Sequence, residues 1–371
     1  MRYALKELLK IRNGRDHKQL AGGPIPVYGS GGIMRYASSA LYSSASILLP
    51  RKGTLDNIQY TNKPFWTVDT LYYTEIDESK VDPYFLFYYL KQLDISRLWT
   101  GTGVPSMTND AYYQIQVSLP DLPIQHHIAS ILGNLDERIE ICRKKIALIR
   151  SFIERLYDYW FVQFKFPGHE CSDMMWNNKA KKNIPQHWTV GVLSDCADIT
   201  MGQSPDGASY NVDRNGILFF QGATDFGEVF PSERQYTTSP TRYARGGDIL
   251  LSVRAPVGTM NVAMKDCCIG RGLAAIRGKC CCNSFIEISL KKFAAVFARK
   301  NGDGTTFGAI TKDELFGLPV IIPEKKILSS FGEIAIPLEK EITVEACKMS
   351  KLIEQRDWLL PMLMNGQIVV E

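Results

Sequence analysis

The chain has 371 residues, which is long for a single hydrophobic core and favours two or three domains. With 45% hydrophobic and 22% charged residues it has the composition of a globular protein, and its net charge of +4 does not by itself indicate a nucleic-acid binder. Its nine cysteines lack regular framework spacing, which argues against a secreted disulfide scaffold.

The amino-terminal segment MRYALKELLK has no apolar core of the kind found in signal peptides. No later apolar run is long enough for a transmembrane helix. We therefore expect a soluble protein with reduced thiols, located in the cytoplasm.

A weak internal repeat relates the two halves of the chain. Four short matches recur in the same order, roughly 190 to 200 residues apart, which chance similarity rarely produces. The matches are the pattern Leu5, Leu8, Ile11, Gly14 with Leu193, Cys196, Ile199, Gly202; the runs 47–49 and 249–251; the loops 101–108 and 302–311; and Leu119-Pro120 with Leu318-Pro319.

Each half is predicted to contain a β-rich segment followed by a long helix. In each half the β-rich segment consists of short apolar runs broken by Gly, Pro, Asn and Asp, which is typical of strands and turns. The fold class is therefore α+β, with two β-rich domains in pseudo-twofold repeat separated by two long helices. The predicted boundaries are 1–121 and 167–321 for the β-rich domains, and 122–166 and 322–371 for the helical regions.

The first long helix is predicted from a sustained coiled-coil pattern. Pro123 suits the first helical turn, where the missing N–H is no loss. Beyond it, apolar or small residues alternate at spacings of four and three, which is the a/d pattern of a coiled coil. This predicted seam consists of Ile128, Leu132, Leu135, Ile139, Cys142, Ile146, Ile149, Ile153, Leu156 and Trp160.

The second long helix repeats the pattern less regularly. Glu345 and Arg356 interrupt its seam, and Pro337 and Pro361 are expected to bend it near its start and end. Two seams in one chain most simply pack against each other, although they could also belong to separate helical bundles. The second seam consists of Leu328, Phe331, Ala335, Leu338, Ile342, Met349, Leu352, Leu359 and Leu363.

Basic residues cluster in both β-rich segments. Arginine and lysine side chains and loop N–H groups are what phosphate contacts and guanine contacts require, so the clusters favour DNA binding. The alternative is a solvated basic face on each small domain. The candidate DNA-binding residues are Arg35, Tyr36, Arg51, Lys52 and Lys63 in the first half, Arg242, Arg245, Arg254, Lys265 and Arg271 in the second, and Thr102, Ser106 and Thr305 in the glycine-rich loops.

No catalytic or metal-binding motif stands out. His126 and His127 are adjacent on a predicted helix, so they project about 100° apart and cannot share one ion. The pair of adjacent cysteines at 267–268 and the triplet at 280–282 lack the spacing of zinc sites. The aromatic run 157–166 is expected to anchor the end of the first helix on the following β-rich domain, with a contact surface for a partner protein as the alternative.

The whole chain resembles the specificity subunit of type I restriction–modification enzymes. The resemblance rests on LYDYWFVQFKFPG (156–168), IPQHWTVGVLSD (184–195), GDILLSVRAPVGTMN (247–261), DCCIGRGLAA (266–275) and RDWLLPMLMNGQI (356–368). It implies two target recognition domains, each reading half of a split DNA site, and an antiparallel coiled coil as spacer. It also implies a noncatalytic chain without cofactor that binds two modification subunits, which use S-adenosylmethionine, and restriction subunits, which use ATP and Mg²⁺.

Three expectations and three alternatives follow from this interpretation. A rigid spacer predicts a constant number of unread base pairs between the half-sites. Pseudo-twofold repetition suits two copies of one partner, and the differing β-rich segments predict an asymmetric target. The alternatives are a coiled-coil protein scaffold without DNA recognition, an enzyme with an unrecognised active site, and a specificity subunit of a type II restriction enzyme.

Overall fold

A computed structural model describes residues 1–99, 106–279, 282–302 and 308–368. Within it the chain divides into two compact units, which are described separately below. Unit 1 comprises Met1–Ile141 together with Ser350–Glu371, and unit 2 comprises Cys142–Met349. Both units contain strands and helices, so the predicted α+β class with two β-rich halves and two long helices is confirmed.

Two of the helices are far longer than the others. They match the two predicted coiled-coil segments, and the second runs without interruption through Pro337 and Pro361. A π-helical turn, Asp158–Val162, continues the first. The α-helices of the described residues are α1 (Pro83–Gln92), α2 (Asn109–Tyr113), α3 (Leu122–Tyr157), α4 (Leu193–Cys196), α5 (Asn283–Lys291), α6 (Ala294–Gly302), α7 (Lys312–Phe316) and α8 (Lys325–Met364).

Unit 1 contains three small sheets. Their strand orders are β1-β9, β2-β8-β5-β6 and β4-β3-β7, and β3 runs parallel to β7 while the other pairs are antiparallel. The strands are β1 (Arg2–Ala4), β2 (Leu9–Asn13), β3 (Ile25–Gly29), β4 (Gly32–Ala37), β5 (Ser46–Pro50), β6 (Gln59–Thr61), β7 (Trp66–Thr67), β8 (Leu71–Ile76) and β9 (Gln116–Ser118).

Unit 2 repeats this topology with additional strands. Its sheets have the orders β12-β22, β13-β21-β18-β19 and β14-β16-β15-β20-β17, with a hairpin β10-β11 before them. The strands are β10 (Met174–Asn177), β11 (Lys182–Pro185), β12 (Thr189–Val192), β13 (Ala197–Met201), β14 (Tyr210–Asn211), β15 (Ile217–Phe220), β16 (Tyr236–Thr237), β17 (Tyr243–Ala244), β18 (Ile249–Ser252), β19 (Met260–Val262), β20 (Cys267–Ile269), β21 (Leu273–Gly278) and β22 (Pro319–Ile322).

A shared four-stranded framework underlies the sequence repeat. The sheet β2-β8-β5-β6 of unit 1 and the sheet β13-β21-β18-β19 of unit 2 have the same strand order and the same antiparallel pairing. The runs 47–49 and 249–251 occupy the same fully buried strand in the two sheets. In each unit a threonine caps the short helix that follows, namely Thr108 for α2 and Thr311 for α7.

The repeated pattern that begins at Leu5 and at Leu193 ends in glycine in both units. In each unit this glycine follows the first framework strand and lies against a backbone carbonyl. A side chain at Gly14 would place its Cβ 2.0 Å from the carbonyl oxygen of Val68, and one at Gly202 would place it 2.2 Å from that of Gly270. Both distances are far below van der Waals contact, so only glycine permits this close backbone approach.

In unit 1, α3 and α8 pack antiparallel through an apolar seam with one polar interruption. Leu132 and Leu363 belong to the same buried cluster. Arg356, which interrupts the predicted seam, donates to the Asp136 carboxylate at 2.8 Å. Because an unpaired charge at such a position is costly, the pair both satisfies the arginine and favours one register of the two helices.

In unit 2, the same two helices have a second polar interruption. Glu345 is buried and accepts a hydrogen bond from Lys145 at 2.8 Å, while Lys145 also donates to Glu341. The lysine lowers the pKa of Glu345 below its ordinary value. Further along, the Trp160 ring lies 5.9 Å from the Phe331 ring, so the helices are antiparallel here too. The interruptions that the sequence revealed are therefore paired across the helices.

Most seam residues are buried, but the first seam shifts at its end. Tyr157 and Trp160 are buried whereas Leu156 is only half-buried, so the buried seam passes from Ile153 to Tyr157 just before the π-helical turn. The buried seam residues are Ile128, Leu132, Leu135, Ile139, Cys142, Ile146, Ile149, Ile153, Trp160, Leu328, Phe331, Ala335, Met349, Leu352 and Leu363, and the half-buried ones are Leu156, Leu338, Ile342 and Leu359.

The aromatic run at the end of α3 lies in the core of unit 2. Tyr157, Trp160, Phe161 and Phe166 all belong to its main hydrophobic cluster. The phenol of Tyr157 also lies 3.0 Å from the hydroxyl of Ser289 on α5. The run therefore anchors the helix on the β-rich part of unit 2. None of the helices in the described residues has an apolar stretch sufficient to cross a bilayer.

Candidate nucleic-acid interface

Three candidate arginines of unit 2 lie together at one end of its sheets. We call Arg242, Arg254 and Arg271 the arginine rim. The Ile269 amide donates to the Arg242 carbonyl at 2.9 Å, which brings the start of β17 beside the end of β20, and Arg271 lies in the turn that follows β20. The same turn accepts a hydrogen bond at 2.9 Å from Val253, the neighbour of Arg254.

The arginine rim is suited to binding an anion. All three side chains are exposed, and within the described residues none of them forms an ion pair or donates a side-chain hydrogen bond. Their guanidinium groups are thus available for bidentate contacts with phosphate oxygens or with guanine. The polar side chains of Ser204 and Gln221 bond to each other beside the rim and add neutral donors and acceptors.

The other basic candidates of unit 2 lie at the opposite end of the strands. Arg245 follows β17 and precedes β18, and Lys265 precedes β20, so both are separated from the arginine rim by the length of a strand. Lys265 forms a surface ion pair with Glu233 at 2.7 Å. The nearby Arg277 donates to the buried Asp248 at 2.5 Å and is used for structure. The sequence cluster therefore separates into two groups in space.

Unit 1 has a counterpart of the arginine rim. The backbone of Lys52 bridges to Ser106 as that of Arg254 bridges to Ala309. The Arg51 amide donates to the Thr70 carbonyl at 2.9 Å, and the Val253 amide donates in the same way to the Gly272 carbonyl at 2.9 Å. Lys52 thus occupies the position of Arg254, and its side chain is exposed without an ion pair among the described residues.

The remaining candidates of unit 1 are more dispersed. Arg35 and Tyr36 lie on the edge strand β4, where Arg35 is half-buried and donates to the Leu20 carbonyl at 2.8 Å while Tyr36 is 54% exposed. Arg51 lies over the Tyr72 ring, 6.0 Å from its centre. Lys63 is exposed between β6 and β7. Thr102 and Thr305 lie outside the described residues.

A pocket that sequence reasoning missed lies on the same side of unit 1 as Lys52. It has a volume of about 680 Å³ and is lined by Asp16, Lys18, Asp69 and the loop 29–31, among others. A side chain added at Gly53, next to Lys52, would meet the Ser30 hydroxyl at 2.7 Å, so the two features adjoin. Carboxylates accept hydrogen bonds from the amino groups of cytosine and adenine, so Asp16 and Asp69 can contact bases even though this surface of unit 1 is less positively charged than the arginine rim of unit 2. The glycine-rich YGSGG (28–32) was the available signal.

His126 has a structural partner. Its Nδ1 lies 2.8 Å from the carboxylate of Asp82, the residue that caps α1. In the part of the chain that the structure describes, no group of three or more His, Cys, Asp or Glu side chains is arranged to hold a metal ion. Cys267 and Cys268 are fully buried on β20, whereas Cys280 and Cys281 lie outside the described residues.

Each unit exposes large apolar or aromatic side chains on its part of the long helices. Leu148 and Phe152 of α3 are 71% and 51% exposed. Tyr159 in the π-helical turn and Trp358 on α8 are also exposed, and they follow Asp158 and Asp357 at matching positions of the sequence repeat. Large exposed apolar side chains are typical of protein contact surfaces.

Comparison with known proteins finds relatives over most of the chain. Residues 1–151 match the family model of the type I restriction modification DNA specificity domain. A protein of Methanocaldococcus jannaschii provisionally named type I restriction enzyme MjaX specificity subunit is 27% identical over 305 residues, which is 80% of this chain and 70% of that protein. The type I restriction enzyme MjaIX specificity subunit of the same organism is 21% identical over 357 residues, 91% of this chain and 81% of that protein.

A solved structure shows the same fold. The crystal structure of the type I restriction–modification S subunit from M. genitalium matches with a TM-score of 0.64 at 16% identity, covering 98% of this chain and 95% of that one. These matches confirm the resemblance to type I specificity subunits that the sequence motifs indicated.

Proposed function

Starting from this relationship to type I restriction enzyme specificity subunits, we propose that the chain is the noncatalytic subunit that reads a bipartite, asymmetric DNA target. Units 1 and 2 each read one half of the target. Phosphate contacts position each unit on the duplex, and side chains at the end of its sheets read the bases.

One observation carries this proposal: Lys52 and Arg254 occupy equivalent positions in the two units and both present an exposed, unpaired cation within the described residues. A solvated basic face would not require a cation at the same backbone bridge in both units. The turns beside these cations differ, with Asp69 in one unit and Arg271 in the other. Different neighbours at equivalent positions support two half-sites of different sequence.

The proposed partners are two modification subunits and the restriction subunits of the same system. S-adenosylmethionine, ATP and Mg²⁺ would bind those subunits, and this chain would bind none of them. The exposed Tyr159 and Trp358, one in each unit, support the docking of two copies of one partner. Because DNA and these partners are cytoplasmic, we propose a cytoplasmic location.

Salt-dependent DNA binding tests the proposal. Fluorescence anisotropy with random duplex should show an affinity that falls steeply as salt concentration rises, because phosphate contacts release counterions. A coiled-coil scaffold that binds only protein would show no such dependence. Mapping of methylated adenines in a host that carries the complete system should then reveal a target with two half-sites.

Deletion of one heptad from α3 tests the spacer. We expect the number of unread base pairs between the half-sites to change, or methylation to be lost, because the helices fix that number. Full methylation at the original spacing would contradict the proposal. A type II relative would give the same target pattern, and the neighbouring genes distinguish it.

A further inference from the structure

Unit 2 contains a cavity of about 440 Å³ where its α5 meets the two long helices. Its volume lies within the range of roughly 300–1,000 Å³ that is typical of ligand pockets. Its lining residues come from α3, α5 and α8, from the strands β18, β19 and β21, and from the loop residues 229–230 and 246–247, all within unit 2. The DNA-binding role proposed above makes no use of this cavity.

The equivalent place in unit 1 is filled by aromatic side chains. Tyr60 of β6 packs edge-on against Tyr84 of α1 with ring centres 4.9 Å apart. Phe87 lies 5.8 Å from Tyr84, and Tyr88 lies 5.4 Å from it. Four aromatic rings thus occupy the space between the framework sheet and the long helices in this unit.

The strand register and the helix starts identify the counterparts of these residues in unit 2. Tyr60 pairs with Ile47 as Val262 pairs with Ile249, and 47–49 and 249–251 are the repeated run. Counting from the first residues of α1 and α5, Tyr84 corresponds to Ser284.

By the same count, Phe87 and Tyr88 correspond to Glu287 and Ile288. All four counterparts, Val262 and Ser284 included, line the cavity. The cavity therefore exists because each aromatic ring of unit 1 is replaced by a smaller or polar side chain.

A carboxylate from one of the long helices faces this place in both units, although Asp136 and Glu339 do not occupy matching positions of the sequence repeat. In unit 1 the hydroxyl of Tyr84 donates to Asp136 at 2.5 Å, and that of Tyr88 donates to the same carboxylate. Burial and these hydrogen bonds raise the pKa of both phenols, so they remain protonated donors. In unit 2 both the amide, at 2.9 Å, and the hydroxyl of Ser284 donate to one oxygen of Glu339.

Glu339 is left with an acceptor to spare. Both bonds from Ser284 reach its Oε1, and within the described residues it forms no ion pair, unlike Asp136 with Arg356. Burial raises the pKa of Glu339, as it does for a carboxyl group that lacks a compensating partner. A further hydrogen-bond donor in the cavity would satisfy this carboxyl group.

The lining of the cavity restricts the nature of that donor. Ile153, Ile249 and Ile342 supply apolar walls, which favour a ring or an alkyl group. Of the acidic lining residues other than Glu339, Glu154 and Glu287 are both paired with Lys291. Arg150 and Lys340 also line the cavity and form no ion pair within the described residues, so the cavity favours a neutral occupant over a cationic one. A neutral aromatic group that carries a hydroxyl meets both conditions.

We propose that this cavity binds the side chain of a tyrosine from a partner polypeptide, with its ring against the isoleucines and its hydroxyl donating to Glu339. The occupant is a tyrosine because unit 1 fills the same place with tyrosines of its own chain, which donate to Asp136 as the occupant would donate to Glu339. The partner thereby completes in unit 2 the packing that unit 1 achieves alone.

Ligand-observed NMR with three probes tests the proposal on the full chain. We expect p-cresol and N-acetyltyrosinamide to bind with millimolar or sub-millimolar affinity and toluene to bind more weakly. Absence of p-cresol binding would overturn the proposal. Binding of p-cresol without N-acetyltyrosinamide would also overturn it, because the site could not then accept a residue within a polypeptide.

Two cavity-filling variants locate the binding. Ser284→Tyr and Val262→Tyr each introduce the residue found in unit 1, and each should weaken p-cresol binding at least about tenfold. Thermal unfolding checks that the variants fold, and the two substitutions are independent should one of them not do so. Unchanged p-cresol affinity in a folded variant would overturn the assignment. DNA affinity should be unaffected, which separates this test from the proposed function.

A third variant tests the carboxyl group. Glu339→Gln keeps the size of the side chain but weakens its acceptor, so p-cresol binding should fall about fivefold while toluene binding stays constant. An equal effect on both probes would show that the hydroxyl does not contact residue 339, and it would overturn this part of the proposal.

Discussion

In both units a glycine ends the first framework strand against a backbone carbonyl, but the turns that supply this carbonyl differ. The turn contains Val68, Asp69 and Thr70 in unit 1, and Gly270, Arg271 and Gly272 in unit 2. Their backbone hydrogen bonds are the same, since residue 71 bonds to 68 as 273 bonds to 270. Main-chain contacts therefore maintain the framework, and the side chains of the turn can change sign of charge without altering it.

The largest expected loss of stability comes from substituting the glycine that both units place against a backbone carbonyl. Gly14→Ala should destabilise unit 1 by about 3 kcal/mol or more, because the new Cβ would lie 2.0 Å from a carbonyl oxygen. Hydrogen exchange read by mass spectrometry should show lost protection in the strands of unit 1 with unit 2 unchanged. Gly202→Ala should do the reverse.

A matched control is available for that prediction. A side chain at Gly22 would meet no atom within 4 Å, so Gly22→Ala should change stability by no more than about 0.5 kcal/mol. If Gly14→Ala were as mild as Gly22→Ala, the close backbone approach would not be a requirement of the fold.

The polar interruptions of the helical seams should differ in strength between the units. Arg356→Met leaves Asp136 without its cation, and because both side chains are mostly buried we expect a loss of about 2–3 kcal/mol. Lys145→Met in unit 2 also removes the partner of a buried carboxylate, Glu345, but it should cost less because the side chain of Lys145 is 44% exposed against 20% for Arg356, so water can take the place of the lysine. Urea unfolding followed by hydrogen exchange gives both values, and equal losses would contradict the difference in burial.

DNA readout should divide between the units. Arg254→Ala should weaken binding of the target duplex by about 1–3 kcal/mol and relax discrimination at one half-site only. Lys52→Ala should affect the other half-site. Anisotropy with duplexes scrambled in one half at a time measures both effects.

The opposite end of the strands supplies the control for that prediction. Arg245→Ala removes a cation of equal charge from the same unit, away from the arginine rim, and should leave discrimination intact. Equal losses for Arg245→Ala and Arg254→Ala would show that only total charge matters.

The smallest effect concerns acid stability in unit 2. Because Lys145 lowers the pKa of Glu345, this group contributes stability above its ordinary pKa and loses it as the pH falls through the lowered value. Glu345→Gln should therefore flatten the acid limb of a stability–pH curve. Glu341→Gln, which alters the exposed partner of the same lysine, should change that limb less, and the opposite order would refute the assignment.

Sequence patterns predicted the parts of the fold that depend on local spacing. The buried run 47–49 and the heptads of α3 both reflect apolar patterns within a short stretch. The glycines were visible because the repeat shows them twice, although their contacts with Val68 and Gly270 are distant in sequence. The partners of Arg356 and Glu345 could not be predicted, because Asp136 and Lys145 are some 200 residues away and outside any pattern. The interruptions were visible but their compensation was not.

The sequence predicted which residues belong to the candidate DNA interface but not which of them lie close together in the fold. Arg245 and Arg254 are nine positions apart in sequence yet lie at opposite ends of β18, since the strand runs between them. Very short strands such as β17 and β20 carry too little periodicity to reveal which end each loop joins. The pocket of unit 1 was not predicted, because Asp16, Ser30 and Asp69 are far apart in sequence and do not form a cluster of basic residues.

The strands that open and close each β-rich segment are neighbours. Arg2 pairs with Ser118, and Thr189 pairs with Ile322, each pair in an antiparallel ladder in which strands lie about 4.8 Å apart. In each unit the chain therefore enters and leaves the sheets through two adjacent strands with the same antiparallel pairing. The residues between these two strands can change without moving the points at which the chain joins the long helices. A foreign segment that ends in the same two strands could therefore be exchanged as a unit, and under the proposed function a single recombination event would then change one half-site.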